Sequence, residues 1–133
     1  MLRKIARENA FLLIFEKVCK CDETAEEIFL KATNERELES DDYVKQVFFG
    51  VFQQYNELEQ TLEIHYQKWN KSRISPVSKS ILLLAAYEMI YMTDIPNIVS
   101  LNEAIELAKK YDEEKSYSFV NGVLNAVTKS LEK

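Results

Sequence analysis

In 133 residues this chain has two glycines and two prolines, and that near absence of turn-forming residues is its strongest constraint. An all-β domain reverses direction every few residues and draws on Gly, Pro and Asn to do so. The chain is therefore expected to be all-α. With 47% apolar residues, including seven Tyr, seven Phe and one Trp, it can bury one core, so residues 1–133 are expected to form a single domain. The 29% of charged residues is too evenly mixed with apolar ones for disorder.

The longest unbroken apolar run, residues 81–87, is far short of the roughly twenty residues that a bilayer span requires. Arg3, Lys4 and Arg7 ahead of the apolar residues 11–15 faintly resemble a signal peptide, but Glu8 and Glu16 confine that stretch and no small-residue cleavage site follows. A cytoplasmic protein is expected. Cys19 and Cys21 are too close and too few for a disulfide framework or a four-ligand zinc site, and the single histidine, His65, is distant. Free thiols near a helix end, no metal and no cofactor are the expectation.

A net charge of −5 argues against indiscriminate coating of nucleic acid, but the average hides blocks. Residues 1–20 hold five basic and two acidic side chains, residues 21–66 three and twelve, residues 67–80 four and none, and the remainder five and eight. Two basic segments thus sit in an acidic molecule. Converging in space, they would hold a few phosphates while the acidic remainder suppresses non-specific adhesion. The alternative is ordinary solvated Lys and Arg that never meet.

Apolar periodicity predicts a helix over residues 2–20, apolar all round in its second half. Cations in its first turn oppose the helix dipole by a few tenths of a kcal/mol, a small cost that hints at an anionic partner. Thr24 and Glu27 form a capping-box pair before a short second helix, and the polar residues 33–39 read as a loop. Ser40, Asp41 and Asp42 start a long third helix whose stripe runs from Val44 to Trp69, with Gly50 inside it, placed so that another helix can approach closely. Ser75 and Pro76 mark the start of a helix so apolar from Ile81 onward that it should be central. Ser100 with Glu103 reads as another capping box, and Ser116 as the start of the last helix. Six helices are expected, or seven if the long one breaks.

Catalytic groups are thin. Neither cysteine is spaced to meet His65, the acidic pairs Asp41–Asp42 and Glu113–Glu114 sit at helix starts where negative charge is structurally favourable, and both glycines, Gly50 and Gly122, fall inside helices rather than in a phosphate loop. No catalytic residue is expected. Binding of short single-stranded RNA has its ingredients in the basic start, the basic stretch 67–80 and aromatic residues near helix ends that can stack on bases.

Several strings then bear a specific resemblance. Residues 3–10 (RKIARENA), Ile95-Pro96, residues 101–111 (LNEAIELAKKY), Ser116, residues 119–124 (FVNGVL) and the central 81–88 (ILLLAAYE) resemble, in the same order, the NusB family of bacterial transcription antitermination factors, along the whole chain. The resemblance implies a compact bundle of two packed helical subdomains that binds the boxA element of ribosomal RNA leader transcripts as a heterodimer with ribosomal protein NusE. Other Nus factors and RNA polymerase would be indirect partners, and self-pairing into a homodimer also occurs in the family. By similarity Arg3, Lys4 and Arg7 carry RNA phosphates, Lys115, Ser116 and Phe119 lie along the same face, and Phe15 and Ser78 match positions at or near the NusE surface. Asn102, Glu103, Asn121 and Gly122 read as structural, in capping and close helix packing.

The chain departs from the family pattern where Ser78 replaces a usual acid, where Lys79 and Leu83 replace Arg, and at Lys115, a usually acidic position whose cation favours RNA electrostatically. Two other readings are weighed against this one. A protein-only helical adaptor would have the fold without RNA recognition, and a related fold fronts ribosomal RNA cytosine methyltransferases, whose cofactor-binding domain is not expected in a chain of this length. The adaptor and RNA readings separate on whether Arg3, Lys4 and Arg7 share a face with Lys115 or with the 67–80 segment.

Overall fold

A computed structural model describes residues 1–66 and 74–132, and seven α-helices account for most of them. They are α1 (Arg3–Cys19), α2 (Ala25–Leu30), α3 (Asp42–Gln53), α4 (Tyr55–Glu63), α5 (Pro76–Tyr91), α6 (Asn97–Tyr111) and α7 (Glu114–Leu131). No strand occurs among the described residues.

Local chemistry sets most of the boundaries. The capping box at α2 is complete: the Glu27 backbone N–H donates to the Thr24 hydroxyl at 3.1 Å while the Glu27 carboxylate accepts from the Thr24 backbone. Asp41 caps α3 by accepting the Val44 N–H at 2.9 Å, and Ser75 caps α5 by accepting that of Ser78 at 3.0 Å, with Pro76 at the first helical position. The long third helix does break. At Gln54 the backbone leaves helical geometry (φ −106°, ψ 21°), and Tyr55–Glu63 becomes α4, while Trp69 at the end of the expected stripe lies outside the described residues. The expected loop 33–39 is also shorter than read, because α2 runs on into a π-helical turn, Lys31–Glu35, before the chain reverses near Glu37, whose φ is +57°.

α5 is the axis of the fold. Ser78 and every residue from Ser80 to Met89 are buried, and the helix packs against α1, α3, α4, α6 and α7. Gly50 on α3 makes one of these contacts possible, since a Cβ there would lie 2.5 Å from ring carbons of Tyr87. That position answers the expectation of close approach. Gly122 does not, for nothing lies within 4 Å of where its Cβ would be. No helix among the described residues is long and apolar enough to cross a membrane.

Candidate nucleic-acid interface

α1 opens with Leu2 at its cap position and no acidic residue in its first turn. Arg3 and Arg7 are one turn apart and so project from the same side of the helix. Their surroundings differ completely. Arg7 is buried: its Nε donates to Glu88 Oε2 at 2.9 Å, and its Nη1 lies 3.5 Å from Glu103 Oε1. Glu88, fully buried on α5, also accepts the Tyr43 hydroxyl at Oε2 and the Ser100 hydroxyl at Oε1, the latter at 2.7 Å. One carboxylate therefore collects donors from α1, α3 and α6. Among the described residues no buried polar side-chain atom lacks a partner.

The electrostatics follow from that geometry. Burial works against the Arg7 charge, but Glu88, Tyr43 and Glu103 together outweigh it and hold the guanidinium pKa above its ordinary value. Burial first, and the Glu88 charge second, push the Tyr43 phenol well above its ordinary range, so it remains a donor. Arg7, expected to carry RNA phosphates with Arg3 and Lys4, is turned toward Glu88 instead of standing beside them at the surface. Its side chain is 5% exposed and its charge is matched by the protein's own carboxylates, with its edge in the lining of the cavity it shares with Lys4 and Lys110.

Arg3 and Lys4 do face outward. The Arg3 guanidinium carbon lies 4.4 Å from the centroid of the Tyr43 ring, and among the described residues no carboxylate is within ion-pair distance of it. Lys4, with a side chain 74% exposed, sits 4.0 Å from Glu103 Oε1. Behind them Lys4, Arg7 and Lys110 line a cavity of about 110 Å³ with Glu8, Glu103 and Glu106. Glu8 accepts from Lys110 Nζ at 2.6 Å and from the Tyr111 hydroxyl, and these two hydrogen bonds, Lys110 first, hold its pKa below the ordinary carboxylate value.

The other sequence-derived residues lie on α1, α5 and α7. Lys115 is exposed and Ser116 half-buried in the first turn of α7, which begins at Glu114, two residues before the expected Ser116. No hydrogen bond or ion pair joins either to Arg3 or Lys4 among the described residues. Phe119, one turn on, is 5% exposed, with its ring centroid 5.8 Å from that of Tyr66. Of the second basic segment, Lys68, Lys71 and Arg73 lie outside the described residues. Lys79 is held by Glu59 at 2.5 Å, with its ammonium 5.2 Å from the centroid of the Tyr55 ring.

Phe15 lines an apolar groove of about 450 Å³ with Leu12, Leu13, Cys19, Ala32 and Leu38. Ser78 is buried and donates to Asp112 Oδ2 at 2.7 Å, as Ser75 does at 3.0 Å. The Phe15 ring lies 6.3 Å from that of Phe11, which in turn lies 4.9 Å from that of Tyr111. Cys19 and Cys21 are exposed free thiols, and no group able to hold a metal ion occurs among the described residues.

Sequence reasoning missed Glu88, Tyr43 and Ser100. Ser100 and Glu103 are not a capping box, because α6 already begins at Asn97; they serve the buried network instead. The usable signal was Glu88 itself, the one charge between Ile81 and Met92.

The model of the NusB family matches residues 4–129. The chain belongs to the NusB family. The transcription antitermination protein NusB of Bacillus pumilus is 40% identical over 132 residues, covering 98% of each chain, and that of Clostridium acetobutylicum is 41% identical over 135 residues, covering all of both. Among solved structures, NusB of T. maritima superposes with a TM-score of 0.85 at 31% identity, covering 97% of this chain and 92% of that one. A NusB chain crystallised with NusE and double-stranded RNA gives 0.84 at 28% identity, covering 98% and 99%. An all-helical NusB fold is thereby shown for this chain.

Proposed function

We propose that this protein is a transcription antitermination factor that binds boxA RNA of ribosomal RNA leader transcripts together with ribosomal protein NusE, in support of ribosomal RNA transcription and processing. The observation that carries the reading is the whole-length family match coupled to an acid-free first turn of α1 from which Arg3 and Lys4 reach solvent. The protein acts in the cytoplasm as a regulator rather than an enzyme. Other Nus factors and RNA polymerase join through the complex, and self-pairing is its alternative state. The Phe15 groove and the start of α5 at Ser78 are the parts offered to NusE. Lys115 and Ser116 extend the RNA path.

A modest basic patch gains from NusE because the pair presents more contacts to one RNA, and linkage then requires RNA to tighten the protein pair by the same factor. Titration of labelled boxA RNA with and without NusE tests this. Tighter binding in its presence is expected; equal affinity in both, or none, overturns the reading in favour of a protein-only adaptor. Contact with three to five phosphates predicts a log-log salt slope of about −2 to −3.5 for a single strand.

A further inference from the structure

Arg3 and Arg7 make two uses of one aromatic ring. Tyr43, near the start of α3, is 5% exposed and takes its hydroxyl inward to Glu88, while its ring underlies the Arg3 guanidinium at 4.4 Å. Arg7, bonded to the same Glu88 oxygen, lies 5.8 Å from the centroid of that ring. The ring is therefore fixed at one end by a buried, hydrogen-bonded carboxylate and presents its π system to the one N-terminal arginine that keeps its charge at the surface. Left unsupported, an exposed arginine side chain has rotamer entropy to lose on meeting a phosphate. A stacked guanidinium has lost much of that freedom beforehand.

We propose that Tyr43 is a positioning residue for RNA binding: held from behind by Glu88 and Arg7, it stacks Arg3 in a fixed pose for a backbone phosphate, and neither Tyr43 nor Arg7 touches RNA. The inference rests on the RNA-binding reading above and adds to it a division of labour between the two arginines. Arg7 supplies order, and Arg3 supplies the contact. A guanidinium is needed at residue 3, because its planar face stacks where an ammonium offers a compact point charge.

The test is a double-mutant cycle read by boxA affinity in the presence of NusE, with each variant's fold checked by circular dichroism. Arg3→Ala is expected to weaken binding about fivefold, as befits one charge-assisted phosphate contact. Tyr43→Leu, which removes the ring, should cost about the same on the native background and nothing further when Arg3 is already Ala. Tyr43→Phe keeps the ring and loses only the inward hydroxyl, so affinity should hold within about twofold while the melting temperature falls. Arg3→Lys changes only an exposed side chain and keeps the test open should Tyr43→Leu not fold; it should lose affinity although the charge is retained.

Multiplicative losses for Arg3→Ala and Tyr43→Leu, or native affinity for Tyr43→Leu or Arg3→Lys, overturn the proposal. A second readout needs no RNA. Ring-current shifts of the Arg3 side-chain protons should be present in the native protein and in Tyr43→Phe and absent in Tyr43→Leu. Their absence from the native spectrum overturns the positioning role alone, whereas failure of the native protein to bind boxA with NusE overturns the RNA-binding reading on which it rests.

Discussion

The starts of α1 and α5 look alike in sequence, each a helix N-terminus bearing cations in an otherwise acidic chain, yet the fold treats them in opposite ways. At α1 one cation, Arg7, is drawn into the core, and Arg3 and Lys4 are left outside. At α5 the described cation, Lys79, is only partly covered and is matched at the rim by Glu59, with Tyr55 beneath it. Burial works against the Lys79 charge, but its hydrogen bonds to Glu59 and Tyr55 and their charges together outweigh it, so its pKa too is raised. A block of like charges in a sequence is thus no guide to its exposure, which depends on where the neighbouring helices put their carboxylates.

The sharpest way to break this contrast is to delete one cation from each end. Arg7→Met leaves Glu88 buried without its ion-pair partner and should cost about 3–5 kcal/mol. Lys79→Met removes a half-covered rim pair and should cost less than about 1 kcal/mol, with boxA affinity within about twofold of native. Denaturant unfolding of the two variants checks this, and equal losses would erase the distinction.

A smaller effect separates the two glycines along the same division of inside from outside. At Gly50 an added methyl meets the buried Tyr87 ring, itself packed on Tyr91 at 5.1 Å, so Gly50→Ala should lose about 1–2 kcal/mol net of the improved helix propensity. At exposed Gly122 the methyl meets nothing, and Gly122→Ala should gain about 0.5–1 kcal/mol. Thermal melts of the pair distinguish packing from propensity.

The smallest effect is the acid response of the α1–α6 contact. Because the folded-state pKa of Glu8 lies below its ordinary 4.5, its contribution is present above that pH and is lost as pH falls through the lowered value. Partly exposed and screened by solvent, it should contribute less than about 1 kcal/mol at pH 7. Glu8→Gln should be less stable than the native chain at neutral pH and indistinguishable from it once the native carboxyl is protonated, as urea titrations across that range would reveal. A gap that widens in acid would reverse the assignment.

Helix identity was legible because it is written locally. The i, i+3, i+4 stripes and the caps at Thr24, Asp41 and Ser75 act within one turn and came out as read. The same locality explains the failures. Ser100 and Glu103 have the spacing of a capping box, and nothing within four residues reveals that both point at α1 and α5 instead. Arg7 reads as one more cation of a basic start, since its partner lies 81 positions away. Of the proposed RNA face, Arg3 and Lys4 were found by charge, while Tyr43, between an acidic cap and an apolar stripe, reads as core; its ring is core on one side and a support for Arg3 on the other. Gly122 resembles Gly50 in helical context and differs only in what stands opposite, which no periodicity encodes.

The carboxylate of Glu88 has a kinetic corollary. Because it is satisfied only when residues from α1, α3 and α6 arrive together, any partly docked intermediate strands a dehydrated anion, and a slip of α6 by one position would trade the Ser100 hydroxyl for an aliphatic neighbour, Val99 or Leu101. Misregistered assemblies are thereby made costly, so amide protons on all three helices should exchange as one cooperative unit.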